Sequence, residues 1–302
     1  MTRQPATPDT ETSVVEGVDH PTTQADVEST LRAVGVRTGS IVIVHSSLSS
    51  MGWVVGGPVS VVGALRSVVG PDGTIVMPAQ TGVSDPSNWQ FPPVPASWWQ
   101  TIRSTWPSFD PMTTPLRGMG AVVECFARLP GAVHSGHPSL GFVAHGPSAR
   151  RLMRPHPLDD GLGDGSPLAR LYDDDADILL LGVGHDSNTS LHLAEVRGLG
   201  ERAPTMSDGA PLAVDGERAW IEYSHVAYDE DDFEELGVAY AEQGGTEQRA
   251  AIGRGEFRRM PMRELVDFGT TWIAAHRTAE APTDRDSSPS VPHPVPDGGE
   301  TS

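Results

Sequence analysis

The chain has 302 residues, enough to bury a substantial core in one large domain or two small ones, and carries a formal charge of −19. That charge argues against nucleic acid and anionic membrane as partners. No apolar run approaches a membrane span and the first residues lack the charged-then-apolar order of a signal peptide, so a cytoplasmic protein is expected; Cys125 is the only cysteine, which excludes a disulfide framework or a cysteine metal cluster.

Met1 to about His20 is polar and without period, and is expected to be disordered; residues 21–277 are expected to form a single domain. Ala25 to Val34 has a helical pattern with Val27, Leu31 and Val34 inward, Thr23 or Gln24 near its start and Gly35 at its end. Ile41 to His45 is an apolar strand. Its exit loop, Ser46 to Gly57, is rich in hydroxyls and glycine and precedes Pro58, a residue suited to the first position of a helix. Strand, Ser/Gly loop and helix N-terminus together make a place where backbone N–H groups can hold a phosphate or a carbonyl oxygen, although a plain connection has the same composition. A helix Val59 to Val69, a turn at Gly70-Pro71-Asp72-Gly73 and a strand Thr74 to Met77 complete a βαβ unit.

The segment from Pro78 to Arg117 is aperiodic and rich in proline. Its tryptophans, Trp89, Trp98, Trp99 and Trp106, favour an ordered lid or cleft wall. Asp85 and Asp110 within it are candidates to meet ammonium groups, with solvated or turn-capping carboxylates as the alternative. Met119 to Leu129 fits a helix stopped by Pro130. His134 and His137 have a metal-like spacing, but without a third acidic ligand and in a Gly-Pro context no metal is expected. Phe142 to Ala144 is a short strand, Pro147 to Met153 a helix, His156 to Gly165 a loop, and Ser166-Pro167 caps a helix from Leu168 to Tyr172.

The run from Asp177 to Leu181 is apolar throughout, which fits a strand buried on both faces. Gly182 to Ser190 turns, and a helix follows from Leu191 with Asn188, Thr189 or Ser190 as its cap. Ligands of open α/β sheets sit beyond the carboxyl ends of strands, where this turn lies. His192 and Glu195 fall on one helical face, so the carboxylate could orient an imidazole that accepts a proton; an ordinary surface pair has the same spacing. Pro211 to Tyr223 reads as two short strands around Asp215-Gly216, and Asp229 to Glu235 as a solvated acidic run. Residues 262–276 form a last amphipathic helix with Leu265, Val266, Trp272 and Ile273 inward, and 278–302 a disordered tail. The pattern is that of an α/β protein with a mixed central sheet flanked by helices in three α/β/α layers.

The stretch Leu179-Leu180-Leu181-Gly182-Val183-Gly184-His185-Asp186-Ser187-Asn188-Thr189-Ser190-Leu191-His192-Leu193-Ala194-Glu195 resembles the strand-turn-helix of the aminoglycoside 3-N-acetyltransferase family. Val44-His45-Ser46-Ser47-Leu48-Ser49-Ser50-Met51-Gly52-Trp53 with Gly56-Gly57, Phe109-Asp110-Pro111, Ser135-Gly136-His137-Pro138-Ser139 and Gly161-Leu162-Gly163-Asp164-Gly165-Ser166-Pro167-Leu168 match further, in family order, over about residues 24 to 275. The resemblance implies an acetyl-CoA-dependent N-acetyltransferase, outside the Gcn5-related fold, that acetylates the 3-amine of 2-deoxystreptamine aminoglycosides by direct transfer. It implies acetyl-CoA along Ser46, Ser47, Leu48, Val55, Gly56, Gly57, Thr114, His137 and Ser139. It makes His192 the general base with Glu195 its partner, and Asp85, Asp186, Glu195, Asp231 and Asp232 holders of the drug's amines. Donors to the oxyanion would come from backbone N–H groups or hydroxyls of the Ser46-Ser47 loop.

No metal is implied, and a monomer or a homodimer is expected. The acidic surface would concentrate a polycationic substrate. His134-Ser135 and Leu140-Gly141-Phe142-Val143-Ala144 depart from the family's Arg-Ser and Ser-Phe-x-Ala, which bears on the choice of acceptor. Another amine of natural-product biosynthesis, a metal hydrolase using Asp186 or Asp164, and a non-catalytic binder of cationic ligands are the alternatives. A serine hydrolase is disfavoured by the lack of G-x-S-x-G.

Overall fold

The computed structural model describes residues 11–90 and 92–277. In chain order the elements are α1 (Glu11–Glu16), α2 (Gln24–Ala33), β1 (Ile41–Ser46), α3 (Pro58–Val69), β2 (Thr74–Pro78), α4 (Ala96–Thr105), α5 (Gly120–Ala127), β3 (Val133–His134), β4 (Phe142–His145), α6 (Ala149–Met153), α7 (Pro167–Asp173), β5 (Asp177–Leu181), α8 (Leu191–Leu199), β6 (Thr205–Val214), β7 (Glu217–Val226), α9 (Phe233–Glu242), β8 (Gln248–Ile252), β9 (Gly255–Pro261) and α10 (Met262–His276).

Seven strands form one sheet in the order β3-β4-β2-β1-β5-β9-β8. At its centre β1 runs parallel to both β2 and β5, with Ile43 opposite Val76 and Ile178; the flanking strands pair antiparallel. Because side chains alternate along a strand, β1 and β5 feed two cores at once. Ile43, Ile178 and Leu180 pack with α6 to α10 on one face. Val42, Val44, Leu179 and Leu181 pack with α2, α3 and α5 on the other. The result is the expected mixed sheet between two helical layers. Among the described residues no helix is long and apolar enough to cross a membrane.

Local chemistry sets the helix starts. Thr23 and Asp26 form a reciprocal capping box on α2, Pro58 opens α3, and the Ser166 hydroxyl accepts the Leu168 N–H on α7.

Six elements depart from expectation. α1 lies in the N-terminal segment expected to be disordered; it buries Val14, a single apolar contact too short to register as a period. α4 lies in the aperiodic segment and buries none of its residues. It is held instead by Arg103 on Asp85 and by the Arg218 Nε–H donated to the Trp106 carbonyl at 2.8 Å. β8 and β9 were hidden by charge, since β9 presents Arg258 and Arg259 beside buried Phe257 and Met260, with Arg259 paired to Asp177 at 2.8 Å. The Asp215-Gly216 turn, both residues at positive φ (51° and 84°), joins strands that pair in register from Val214↔Glu217 to Thr205↔Val226, longer than the Pro211–Tyr223 hairpin expected. Residues 1–10 and the tail expected from Thr278 lie outside the described residues.

A strand buried on both faces makes a symmetric demand. Leu179→Ala and Leu180→Ala, on opposite faces of β5, are each expected to cost about 2–5 kcal/mol in urea unfolding. A cheap substitution on either side would show that its layer is not packed.

Candidate active site

β1 and β5 lie side by side, and the helices that follow them take opposite faces: α3 after β1, α8 after β5. The crevice beyond their carboxyl ends is therefore the switch point of the sheet. A cavity of about 520 Å³ opens there. His45 and Ser46 border it from β1, and Asp186, Asn188 and Thr189 from the turn after β5. His192 borders it from the first turn of α8, Tyr228 and Glu230 from the connection between β7 and α9, and Phe233 from the start of α9.

The His192 ring sits between Tyr228 and Phe233, with ring centroids 5.1 and 4.9 Å away. Its Nδ1 lies 2.7 Å from Glu195 Oε2. An ionised carboxylate has no proton to give, so Nδ1–H donates and the lone pair of the neutral ring falls on Nε2. Glu195 is 1% exposed. Its other oxygen accepts from Arg277 Nη1 at 2.6 Å and from the Asp229 backbone N–H at 3.0 Å. Arg277 also donates through Nε to Asp232 Oδ2 at 2.8 Å and through Nη2 to the Asp229 carbonyl at 2.7 Å. Burial opposes the Arg277 charge, but the carboxylates of Asp232 and Glu195 outweigh it and raise its pKa. A chain of charge thus runs from Asp232 through Arg277 and Glu195 to the imidazole.

The other expected site residues divide. Asp186 borders the cavity and is exposed. Ser46 borders it too. The Ser47 backbone N–H, a candidate oxyanion donor by sequence, is already donated to the Leu181 carbonyl at 3.0 Å. The Ser47 hydroxyl lies in a cluster with Ser49 and Ser50, and Leu48 packs on the core. Val55, Gly56 and Gly57 stand outside the cavity, where Val55 pairs with Thr22 and the glycines lead into α3. Thr114 closes a turn on Asp110, accepting its N–H at 3.1 Å.

His137 does not reach the cavity. It is fully buried, with Nδ1 accepting the Leu140 N–H at 3.0 Å and Nε2 meeting the Leu158 carbonyl at 3.3 Å, and Ser139 lies beside it. His134 bonds instead to the Ala127 carbonyl, so the H-x-x-H pair is divided between two structural duties.

Among the acids, Asp85 is clamped by Arg103 through two bonds of 2.8 Å. Burial works against its charge, but Arg103 and Ser87 outweigh it and hold the carboxyl below its ordinary range. Asp85 borders a second, smaller pocket of about 370 Å³ with Asp208 and Glu222. Asp232 is committed to Arg277, and Asp231 lies off the cavity with its N–H on Asp229. The acid of that run which borders the cavity is Glu230. Glu195, fully engaged inside, bonds to His192 and does not border the cavity. Among the described residues, no three His, Cys, Asp or Glu side chains gather as metal ligands.

Sequence reasoning passed over His45, Glu230, Tyr228 and Arg277. Arg277 resembles any basic residue at a helix end. His45 sat inside a quoted motif, but as the last apolar-run position of a strand it carried no separate signal.

The model of the family described as aminoglycoside 3-N-acetyltransferase matches residues 43–274. The aminoglycoside N(3')-acetyltransferase-like protein YokD of Bacillus subtilis is 41% identical over 86% of this chain and 95% of its own; its crystal structure superposes with a TM-score of 0.84. Aminoglycoside N(3)-acetyltransferase VIII of Streptomyces fradiae is 39% identical over 72% of this chain and 75% of its own. AAC-IIIb, solved as a binary complex with CoASH, is 27% identical over 87% of this chain and all of its own, with a TM-score of 0.76.

Removing one partner from a buried ion pair strands the other. Glu195→Ala is expected to lower unfolding stability by about 3–5 kcal/mol, read from the urea midpoint, because Arg277 keeps only the partly exposed Asp232 as counter-charge and the Asp229 N–H loses its acceptor. A loss below about 1 kcal/mol would place the pair among solvent-screened contacts.

Burial also pushes four histidines down: His185, His45 to about 3, His137 to about 4 and His156 to about 3. Their stabilising effect is complete above the unfolded value near 6.5 and is lost as pH falls toward those folded values, because only the unfolded chain takes up the protons. Each ring is expected to add about 1.4 kcal/mol of lost stability per pH unit once the unfolded chain is protonated. A denaturation midpoint flat from pH 7.5 to 5 would contradict this.

Proposed function

The chain belongs to the aminoglycoside 3-N-acetyltransferase family, and we propose that it transfers the acetyl group of acetyl-CoA directly to the 3-amine of a 2-deoxystreptamine aminoglycoside. The observation that carries this reading is the His192–Glu195–Arg277 relay opening onto a cavity at the switch point of the sheet.

An ammonium has no lone pair. His192 Nε2 takes its proton, the freed amine attacks the thioester carbon, a C–N bond forms and the tetrahedral centre collapses. The C–S bond breaks with its electron pair on sulfur, His192 Nε2 passes its proton to that sulfur to give CoASH, and the nitrogen's second proton leaves to solvent as the neutral amide forms. Glu195 holds the ring in the tautomer that can accept and stabilises the imidazolium that forms; Arg277 supplies the cation on the other oxygen of Glu195. Asp186 and Glu230 are the carboxylates at the cavity edge suited to the drug's remaining ammonium groups. Attraction from a net charge of −19 raises the local concentration of a polycation. Two supports come from relatives: AAC-IIIb binds CoASH, and the Streptomyces fradiae relative is an aminoglycoside N(3)-acetyltransferase. Acetylation removes one positive charge from the drug, and we read the cellular role as antibiotic resistance.

Thiol release from acetyl-CoA across aminoglycosides with and without a free 3-amine tests this. Release is expected only with the 3-amine, and His192→Ala is expected to lower kcat by about 10²–10⁴ with drug binding retained. Release indifferent to the 3-amine would sink the acceptor assignment, and full activity in His192→Ala the base.

A further inference from the structure

Part of the cavity wall is chemically unfinished. His45 Nε2, Ser46 Oγ and Asn188 Nδ2 are buried on residues that border the cavity, yet have no hydrogen-bond partner among the described residues. Buried polar groups ordinarily pair, and an unpaired one costs about 1–3 kcal/mol. A well-packed fold keeps such groups unpaired where a ligand supplies what is missing.

Two of them approach from different elements with little freedom. His45 is the penultimate residue of β1, opposite Leu180 of β5, and is 5% exposed. Asn188 lies in the turn before α8. Its Oδ1 accepts the Ser190 N–H at 3.2 Å, its own N–H donates to the His185 carbonyl at 2.9 Å, and its carbonyl accepts the Leu191 N–H at 3.0 Å. With its oxygen committed, the amide is oriented, and both hydrogens of Nδ2 remain without an acceptor. The neighbouring backbone donor of Ser47 is spent on Leu181.

We propose that His45 and Asn188 are the donors that polarise the acetyl group, with Nε2–H of a neutral His45 and Nδ2–H of Asn188 bonding to the thioester oxygen and holding it as it becomes an oxyanion. This rests on the reading that acetyl-CoA is the donor substrate. Two neutral donors fixed before the reaction stabilise developing negative charge without reorganising. No proton moves through His45: the amine's proton goes to His192, and the oxyanion's electron pair returns to carbon as the C–S bond breaks. Burial, with the nearby His192 and His185 rings adding to it, holds His45 down to about 3, so that at neutral pH it donates as an uncharged imidazole. The two histidines of the cavity therefore divide the work, one accepting a proton and the other giving only a hydrogen bond.

The test compares the parent with His45→Leu, His45→Gln and Asn188→Leu. Replacing an unpaired buried polar group by an apolar one of similar size leaves stability unchanged or raised, so the thermal midpoint of His45→Leu is expected to hold. Its kcat is expected to fall by about 10²–10³, with KM for acetyl-CoA within about threefold, and His45→Gln to recover at least about tenfold of that loss. An acceptor-free readout accompanies it: the infrared carbonyl band of bound acetyl-CoA carrying ¹³C at the carbonyl. That band is expected at lower frequency in the parent complex than in water, with the shift reduced in His45→Leu and separately in Asn188→Leu. A carbonyl band unchanged in both variants, each still binding acetyl-CoA, overturns the assignment and leaves the transferase reading standing. A parent that binds no acetyl-CoA overturns both.

Discussion

One buried carboxylate governs this structure. Glu195 sits almost wholly inside the protein, where an unpaired charge is far costlier than any single contact can offset. Its two oxygens are met by three groups from separate parts of the chain: an imidazole one helical turn earlier, a backbone N–H at Asp229 and a guanidinium at Arg277. Meeting that demand fixes how α8, the acidic connection before α9 and the end of α10 stand relative to one another. The same demand fixes the tautomer of His192. Stability and the proposed catalysis therefore rest on one arrangement.

What the residues revealed in advance followed the range of the interactions. The apolar run of β5 and the capping signals of α2, α3 and α7 are local, and so is the i, i+3 relation of His192 to Glu195; each could be read from neighbouring letters. The partners of Asp85, Asp232 and Glu195 are not local. By sequence Asp85 and Asp232 look free to meet a cationic drug, because a carboxylate and its arginine, 18 and 45 residues apart, leave no joint mark in sequence. His137 shows the same limit. Its motif position drew it toward the cofactor, while its two nitrogens are used to hold the Leu140 and Leu158 segments together. β9 escaped notice because charged side chains at the flank of the central strands conceal a two-residue alternation.

A row of rings runs from the crevice into the protein. His192, Tyr228, His225 and Tyr223 follow one another with centroid separations of 5.1, 5.8 and 5.8 Å, and His137 lies 6.0 Å beyond Tyr223. This row connects the main cavity with the smaller pocket around Asp208 and Glu222. Flat, stiff side chains lose little freedom on ordering, which suits them to lining a site where positions must hold to fractions of an ångström.

Arg277 follows α10 and lies 82 residues after Glu195, so its bond to that carboxylate ties the end of α10 to α8. Loosening α10 from α8 would part Glu195 from its cation and open the relay at His192 in the same step, so local unfolding at this edge of the domain reaches the crevice directly.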